Sequence, residues 1–207
     1  MSGIVLELQR EALDKAANIE SLLRKAYVIA KKLKLEKFEE WIKQEQDGYS
    51  IETEVPSYRY IGGSVYALNP ANGRWIPVGI SDGGRNKFSK FPIKEGIPSL
   101  NDLYITAKDN VSFSISSTLT DVLNKTSPFE TIYSFVAPKS QLHQVISTVQ
   151  NSILDWTILL EENGIEGENL SFTNAEIENA QLPIINNYIN NFYANVEGID
   201  LQQGSSK

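Results

Sequence analysis

The stretch that decides the fold runs from residue 39 to residue 59: Glu39-Glu-Trp-Ile-Lys-Gln-Glu-Gln-Asp-Gly-Tyr49, a short polar gap, and then Val55-Pro-Ser-Tyr-Arg59. Trp41 and Ile42 give its first half an apolar helical face. Gly48 can adopt the positive φ that a helix end often needs, and Pro56 favours an extended exit. The sequence therefore predicts that a helix ends here and that aromatic and cationic side chains meet at one junction.

Helical periodicity also fills the chain upstream of this stretch. Apolar residues recur at helical spacing in three stripes within the first 47 residues, beginning at Ile4, Leu22 and Leu35. Asn18 is a residue type favoured at the N-cap, so the second helix is predicted to begin after it. Because helices this short are marginal on their own, we expect the three to pack on other elements.

Downstream of Pro56 the pattern changes to that of strands. Residues 58–68 are rich in aromatic and branched side chains, residues 69–73 have turn chemistry, and residues 74–80 run back, which predicts a hairpin. Gly62 and Gly63 lie inside the first of these strands. They indicate a bulge, or a place where a ligand or another backbone segment comes close.

The middle of the chain mixes strands with short helices. Residues 111–115 and 129–136 alternate between apolar and polar, which predicts two further strands. Ser99-Leu-Asn-Asp102 and Thr118-Leu-Thr-Asp121 have the spacing of a capping box with Asp in place of Glu, and each is predicted to start a helix.

The longest predicted helix follows Pro138. Its apolar residues recur at steps of four and three from Leu142 to Leu160, which makes a heptad-like stripe. Two interpretations are open: the stripe packs on the chain's own sheet or helices, or it forms part of a seam between copies of the chain. Gly164 and Gly167 are predicted to end this helix.

A shorter helical segment is predicted to follow, starting at the capping box Thr173-Asn-Ala-Glu176 and continuing in a stripe of Ile185, Ile189, Phe192 and Val196. The predicted fold class is therefore α+β, with N-terminal helices, a small mixed or antiparallel β-sheet, a long C-terminal helix and a shorter helical segment. We assign residues 1–172 to the α+β domain, and residues 173–207 to the C-terminal helical segment and a flexible tail.

Composition limits the function classes. The 207 residues contain no cysteine, which is compatible with a reducing compartment, and they show neither a signal peptide nor a membrane span. We expect a cytoplasmic protein. The net charge of -7 resides entirely in the part of the chain from Lys139 onward. This acidic third argues against binding of duplex nucleic acid, because such binding depends on neutralisation of phosphates by Lys and Arg.

Residues for catalysis are scarce. His143 is the one histidine, and it lies beside the apolar stripe, so a zinc site or a Ser-His-Asp triad has little to build on. No phosphate-binding Gly-x-x-x-x-Gly-Lys loop or Asp-x-Asp cluster is present. We predict no catalytic residues, metal or cofactor. A metal-dependent nuclease or nucleotide hydrolase remains the alternative if the fold brings distant carboxylates together.

A cationic loop is one candidate for ligand binding. It carries Arg85, Lys87, Phe88, Lys90 and Lys94, with no acidic residue until Glu95. Cationic and aromatic side chains next to one another can hold a phosphate and a base at the same time. The competing interpretation is a plain surface loop.

The junction after Pro56 is the other candidate. In a strand, Tyr58 and Tyr60 would share one face and Arg59 would point to the other. Arg59 would then bind phosphate, and the two tyrosines would stack on a base. The competing interpretation is structural: one tyrosine packs on Trp41, and Arg59 pairs with Glu45 or another acid.

Most of the chain resembles the AbiTii family, which is associated with bacterial defence against phage. The likeness rests on Leu22-Leu-Arg-Lys-Ala26, on the residues from Trp41 to Tyr49, on Val55-Pro56 with Tyr58-Arg59, and on the run from Leu154 to Phe172. The tail from Gly198 to Ser205 also resembles a signature near the end of related proteins. Gln46 departs from the pattern, which favours Leu there. The resemblance implies a context in phage defence and assigns no catalytic residue.

These observations favour a non-enzymatic binding protein in the conflict between phage and bacterium. It would sequester or sense a small nucleotide-derived immune signal, as a phage sponge or a host sensor, and it would self-associate. The alternative is a protein-protein interaction module of an abortive-infection system, which would dock a defence-system protein without any small ligand.

Overall fold

The computed structural model describes residues 3–14, 16–79 and 89–190. Three helices open the chain, as predicted: α1 (Ile4–Leu13), α2 (Ile19–Lys32) and α3 (Glu36–Asp47). The Asn18 side chain accepts a hydrogen bond from the Ser21 N–H at 3.0 Å, which confirms the predicted N-cap of α2.

Gly48 ends α3 with φ +93°, so the positive φ predicted for this position is confirmed. A Cβ at Gly48 would lie 2.6 Å from the Lys94 carbonyl oxygen. The next residue, Tyr49, donates its N–H to the same oxygen at 2.7 Å. Both the conformation and the close approach of backbone therefore require glycine here.

Six strands form two antiparallel sheets within the described residues. A ribbon pairs β1 (Tyr60–Gly62) with β4 (Lys90–Pro92). A four-stranded sheet has the order β3-β2-β6-β5, and its strands are β2 (Ser64–Leu68), β3 (Trp75–Pro77), β5 (Asn110–Ser114) and β6 (Tyr133–Pro138). The hairpin predicted around residues 69–73 is confirmed as the β2–β3 connection.

The single strand predicted over residues 58–68 is wrong. Its first part is a 3-10 turn (Ser57–Arg59), and the rest divides at Gly63 into β1 and β2, which belong to different sheets. A Cβ on Gly63 would lie 2.4 Å from the Val136 carbonyl oxygen, which confirms the predicted close approach of backbone. Lys90–Pro92, predicted as loop, is a strand because β1 pairs with it.

The remaining helices are α4 (Ile97–Thr106), α5 (Ser117–Thr126), α6 (Lys139–Glu162), α7 (Asn174–Ala180) and α8 (Pro183–Asn186). The predicted starts at Ser99 and Thr118 are wrong by two or three residues, because Gly96 and Ser116 hold the N-cap positions. The Ser116 hydroxyl accepts from the Leu119 N–H at 3.3 Å and so begins the helix earlier.

Helix α6 is the centre of the core. Its predicted stripe from Leu142 to Leu160 is buried within the single chain, where α6 packs against α1, α2 and α4. Phe38 of α3 stacks on Trp156 with ring centroids 3.9 Å apart. The stripe therefore follows the first interpretation, and a seam between copies cannot use it.

The loop after α6 connects the start of α1 with the start of α7. The Glu176 carboxylate accepts the N–H groups of Glu166 at 3.0 Å, Gly167 at 2.9 Å and Thr173 at 2.7 Å, and it completes the predicted capping box. The Gly167 carbonyl in turn accepts the Ile4 N–H at 2.9 Å. The start of α1 is therefore held by the loop that Glu176 organises. Beyond it Ile185 and Ile189 are buried, whereas Phe192, Val196 and the predicted tail lie outside the described residues.

We predict an acid-sensitive contribution of Glu176 to stability. Partial burial would raise the pKa of Glu176, but the N–H donors of Thr173, Gly167 and Glu166 lower it on balance. A lowered pKa in the folded state stabilises the protein above the unfolded value of about 4.3 and is lost as the pH falls through the folded value. Glu176→Gln should cost about 1 kcal/mol at neutral pH in urea denaturation.

The difference in the free energy of unfolding between the wild type and Glu176→Gln should shrink on acidification. Glu178→Gln is the matched control, since Glu178 is an exposed acid on the same helix. An equal loss of stability in both variants at neutral pH would contradict the role of Glu176.

Candidate ligand-binding site

A buried polar cluster joins α3 to the 3-10 turn. The Glu45 carboxylate pairs with the Arg59 guanidinium, and both side chains are fully buried. Glu45 also accepts hydrogen bonds from the hydroxyls of Tyr49 and Tyr58, each at 2.6 Å. The Trp41 indole N–H donates to the Tyr58 hydroxyl at 2.9 Å. The structural interpretation of Tyr58 and Arg59 is therefore what the described residues show.

Arg59 also holds the ribbon in place. Its Nη1 donates to the Glu95 carbonyl at 2.6 Å, and its own carbonyl accepts the Ile93 N–H at 2.9 Å. Both partners lie just beyond β4, whereas Arg59 lies just before β1. One side chain therefore fixes the open end of the ribbon onto α3. The Arg59 Nε has no hydrogen-bond partner among the described residues.

The charge of Arg59 is maintained despite its burial. Burial alone would lower the pKa of Arg59, but the Glu45 carboxylate and its hydrogen bond raise it on balance. The guanidinium also lies over the Tyr49 ring, 5.1 Å from its centroid. Deletion of one partner would therefore leave an uncompensated charge in the interior, which is far more costly than removal of the whole pair.

We predict strong coupling between Glu45 and Arg59 in a double-mutant cycle. Glu45→Gln and Arg59→Met should each lower the free energy of unfolding by about 3–5 kcal/mol. The double variant should lose much less than the sum of the two, because no buried charge remains. Urea denaturation at neutral pH measures all four proteins. Additive losses would show that the pair is not a coupled unit.

The ribbon has one face on the core and one face outward. Ile61 is buried, and the Phe91 ring beside it stacks on Phe135 with centroids 4.9 Å apart. Because side chains alternate along a strand, Tyr60, Gly62, Lys90 and Pro92 share the opposite face, which we call the ribbon face. Tyr60 is 36% exposed, and the Lys90 side chain is exposed.

The ribbon face places an aromatic ring and a cation close together. Tyr60 is opposite Pro92, and Gly62 is opposite Lys90. Tyr60 and Lys90 are therefore diagonal neighbours, a relationship in which the backbones of the two residues lie about 7–8 Å apart. Gly62 lies between them and contributes no side chain. Its N–H donates to the Gln141 Oε1 of α6 at 2.9 Å, so the Gln141 side chain lies next to Gly62.

The structure separates the seven residues predicted to bind a ligand. Tyr60 and Lys90 share the ribbon face. Tyr58 and Arg59 point into the Glu45 cluster, so in this conformation Arg59 has no surface open to a phosphate. Arg85, Lys87 and Phe88 lie outside the described residues.

Two contacts at this site have no local signal in the sequence. Gln141 reaches Gly62 across 79 positions of the chain, and no motif surrounds it. Lys94, expected in the cationic loop, donates instead to the carbonyls of Ser50 at 2.9 Å and Thr53 at 2.8 Å. It closes the loop after α3, and both contacts depend on the tertiary fold.

Other surfaces offer less for an anion. A cavity of about 610 Å³ lies along the loop after α6 and is lined by Glu166, Glu168 and Glu176, so its charge repels a phosphate. His143 is exposed beside the Tyr104 ring. Within the described residues no three His, Cys, Asp or Glu side chains gather as a metal site. None of the described helices combines the length and apolar character needed to cross a bilayer.

The fold and the site define a class: an α+β protein in which a helical core around α6 supports a small antiparallel sheet and a ribbon with an outward aromatic and cationic face. The chain belongs to the AbiTii family, whose model matches residues 3–185. This membership places it in the context of abortive infection and phage defence. Comparison with curated proteins and with solved structures finds no match.

Proposed function

We propose that this protein binds a small nucleotide-derived immune signal without chemical turnover, and that the ribbon face is part of the binding site. The observation that carries the proposal is the arrangement of Tyr60 and Lys90 as diagonal neighbours on the outward face of a ribbon whose other face is fixed in the core. The family context of phage defence supports a role in the conflict between phage and bacterium.

Each part of the ribbon face has a chemical counterpart in a nucleotide. A base stacks on the Tyr60 ring, since every base offers a π-face. The Lys90 ammonium pairs with a phosphate oxygen in a charge-assisted hydrogen bond. Gly62 leaves the space between them open to a sugar, and the Gln141 amide next to Gly62 donates to an acceptor of the ligand. Because β1 and β4 are fixed by Arg59, little ordering is needed on binding.

The role that follows is that of a sponge or a sensor. When the protein is abundant, binding without turnover lowers the concentration of free signal available to the receptor, which is the role of a sponge. When the bound form contacts another component, the same binding reports the signal, which is the role of a sensor. Both roles need the same contacts on the ribbon face, and both are lost with them.

We predict that Tyr60→Ala and Lys90→Ala each weaken binding of a nucleotide ligand by about tenfold to a hundredfold. A stacked base is worth about 1–3 kcal/mol, and tenfold in affinity corresponds to about 1.4 kcal/mol. Native mass spectrometry after incubation with lysates of phage-infected cells finds the ligand, and titration calorimetry then measures its affinity. Lys125→Ala is the matched control, because Lys125 is an exposed lysine on α5, far along the chain from the ribbon.

The outcomes of this experiment separate the hypotheses. A retained small molecule lost in both ribbon variants but not in Lys125→Ala supports the proposal. Unchanged affinity in both variants contradicts the ribbon face as the site. The double variant Arg85→Ala with Lys87→Ala tests the cationic loop in the same way. A chemically altered product would instead identify an enzyme.

A second candidate function rests on the outer face of the four-stranded sheet. Trp75 is 46% exposed and Ile132 is 58% exposed. Leu68 pairs with Trp75, and its N–H donates to the Ile132 carbonyl at 3.0 Å, so Trp75, Leu68 and Ile132 lie opposite one another across neighbouring strands and share one face of the sheet. An exposed apolar row of this kind suits a defence-system protein as partner.

For this candidate we predict that Trp75→Asp abolishes capture of a protein partner in infected cells and lowers the melting temperature by only a small amount, because nearly half of the Trp75 surface is already exposed. Proximity labelling with mass spectrometry measures the capture. Ile51→Asp is the control, since Ile51 is 92% exposed and lies in the loop after α3. Equal loss of the partner in both variants would argue against the sheet face.

A further inference from the structure

The edge of the four-stranded sheet at β5 is open. In the pairing of β5 with β6, Asp109 accepts the Lys139 N–H at 3.0 Å, and the pairs Val111–Ala137 and Phe113–Phe135 continue this hydrogen-bonded alternation. Asn110, Ser112 and Ser114 therefore direct their N–H and C=O groups away from β6. In the part of the chain that the structure describes, no strand pairs with this edge.

The opposite edge of the same sheet carries a proline. The Val78 N–H just after β3 donates to the Val65 carbonyl at 2.9 Å, and the Arg74 carbonyl just before β3 accepts from the Asn69 N–H at 2.8 Å. Because these groups alternate along a strand, Trp75 and Pro77 face the free edge. Proline has no N–H to offer an incoming strand. Proline and lysine are common means of protecting an edge strand, and β5 (Asn-Val-Ser-Phe-Ser) has neither.

We propose that β5 pairs with β5 of a second copy of this chain, antiparallel and about a two-fold axis at Ser112. In this register Ser112 is opposite its own counterpart, and Asn110 is opposite Ser114 of the second copy. Each of these residues has both backbone groups on the free edge, so every pair forms two hydrogen bonds. A register shifted by one residue would place groups already bonded to β6 at the interface, and a register shifted by two residues would leave one of the three free-edge residues of β5 unpaired.

The side chains fit this self-pairing. Asn110, Ser112 and Ser114 are small, uncharged and exposed, so no like charges meet across the axis. On the core side, Val111 meets Phe113 of the second copy and extends an apolar surface that is already nearly buried in each chain. The nearest charged residues, Lys108 and Asp109, face neutral residues at positions 116 and 115 of the second copy.

Symmetry explains why the occupant is a second copy and why growth stops there. Self-pairing about a two-fold axis is isologous and closes after two chains. The resulting eight-stranded sheet has β3 at both ends, and Pro77 protects both of them. A partner strand of unrelated sequence could form hydrogen bonds with the same edge, but no symmetry would favour one register for it. This inference does not depend on the proposed ligand.

The test is the mass of the full chain in solution. Size-exclusion chromatography with light scattering should give twice the chain mass of 23.2 kDa. Ser112→Pro removes the N–H at the axis, and Ser112→Lys places two lysines face to face, so both should be monomeric. Ser112→Ala keeps the backbone and should stay dimeric. A monomeric wild type, or dimers that survive in both Ser112→Pro and Ser112→Lys, would overturn the proposal.

Cross-linking gives a second measurement. The chain has no cysteine, so Ser112→Cys introduces a single thiol, and a short bismaleimide should link two copies in high yield. Asn151→Cys, an exposed position on α6, is the control and should stay uncrosslinked. Circular dichroism checks that each variant is folded. If Ser112→Pro disturbs β5, Ser112→Lys decides, because it keeps the N–H and its side chain lies in water in a single chain.

Discussion

The buried pair of Glu45 and Arg59 is the contact on which the rest of the architecture depends. It joins the end of α3 to the turn that starts the first strand, and through the Glu95 carbonyl it also reaches the chain just after β4. A buried ion pair is rarely the cheapest way to stabilise a core, because a well-packed apolar group of similar size often does as well. Its value here is geometric: a planar guanidinium with fixed donor directions holds three segments in one arrangement.

This arrangement separates structural from exposed polar groups. Glu45, Arg59, Tyr49 and Tyr58 contact one another in the interior, whereas Tyr60, the residue after Arg59, lies on the ribbon face. Behind the ribbon, α6 lies in the apolar core, and its Gln141 side chain accepts the Gly62 N–H of β1. The fold thus supports the exposed Tyr60 and Lys90 of the ribbon on a core of helices.

The sequence predicted the features that depend on local pattern. The three N-terminal helices, the Asn18 cap, the long helix and the Thr173 capping box follow from periodicity and capping chemistry within a few residues. The ribbon was missed, since β4 has only three residues and its partner lies about 30 positions earlier in the chain. The strand assigned to Tyr58 and Arg59 failed because both side chains bond to the buried Glu45 carboxylate, which lies 13 positions from Tyr58 and 14 positions from Arg59. Long-range pairing of this kind overrides local preference.

The crossing between the two sheets also limits how the family can diversify. Any side chain at Gly63 would overlap the Val136 carbonyl and the Phe135 ring, whereas an added Cβ at Gly79 meets no atom of the described residues within 4 Å. Among the described residues, no contact therefore requires glycine at position 79. Relatives that keep the ribbon and the sheet in this arrangement are confined to glycine at position 63.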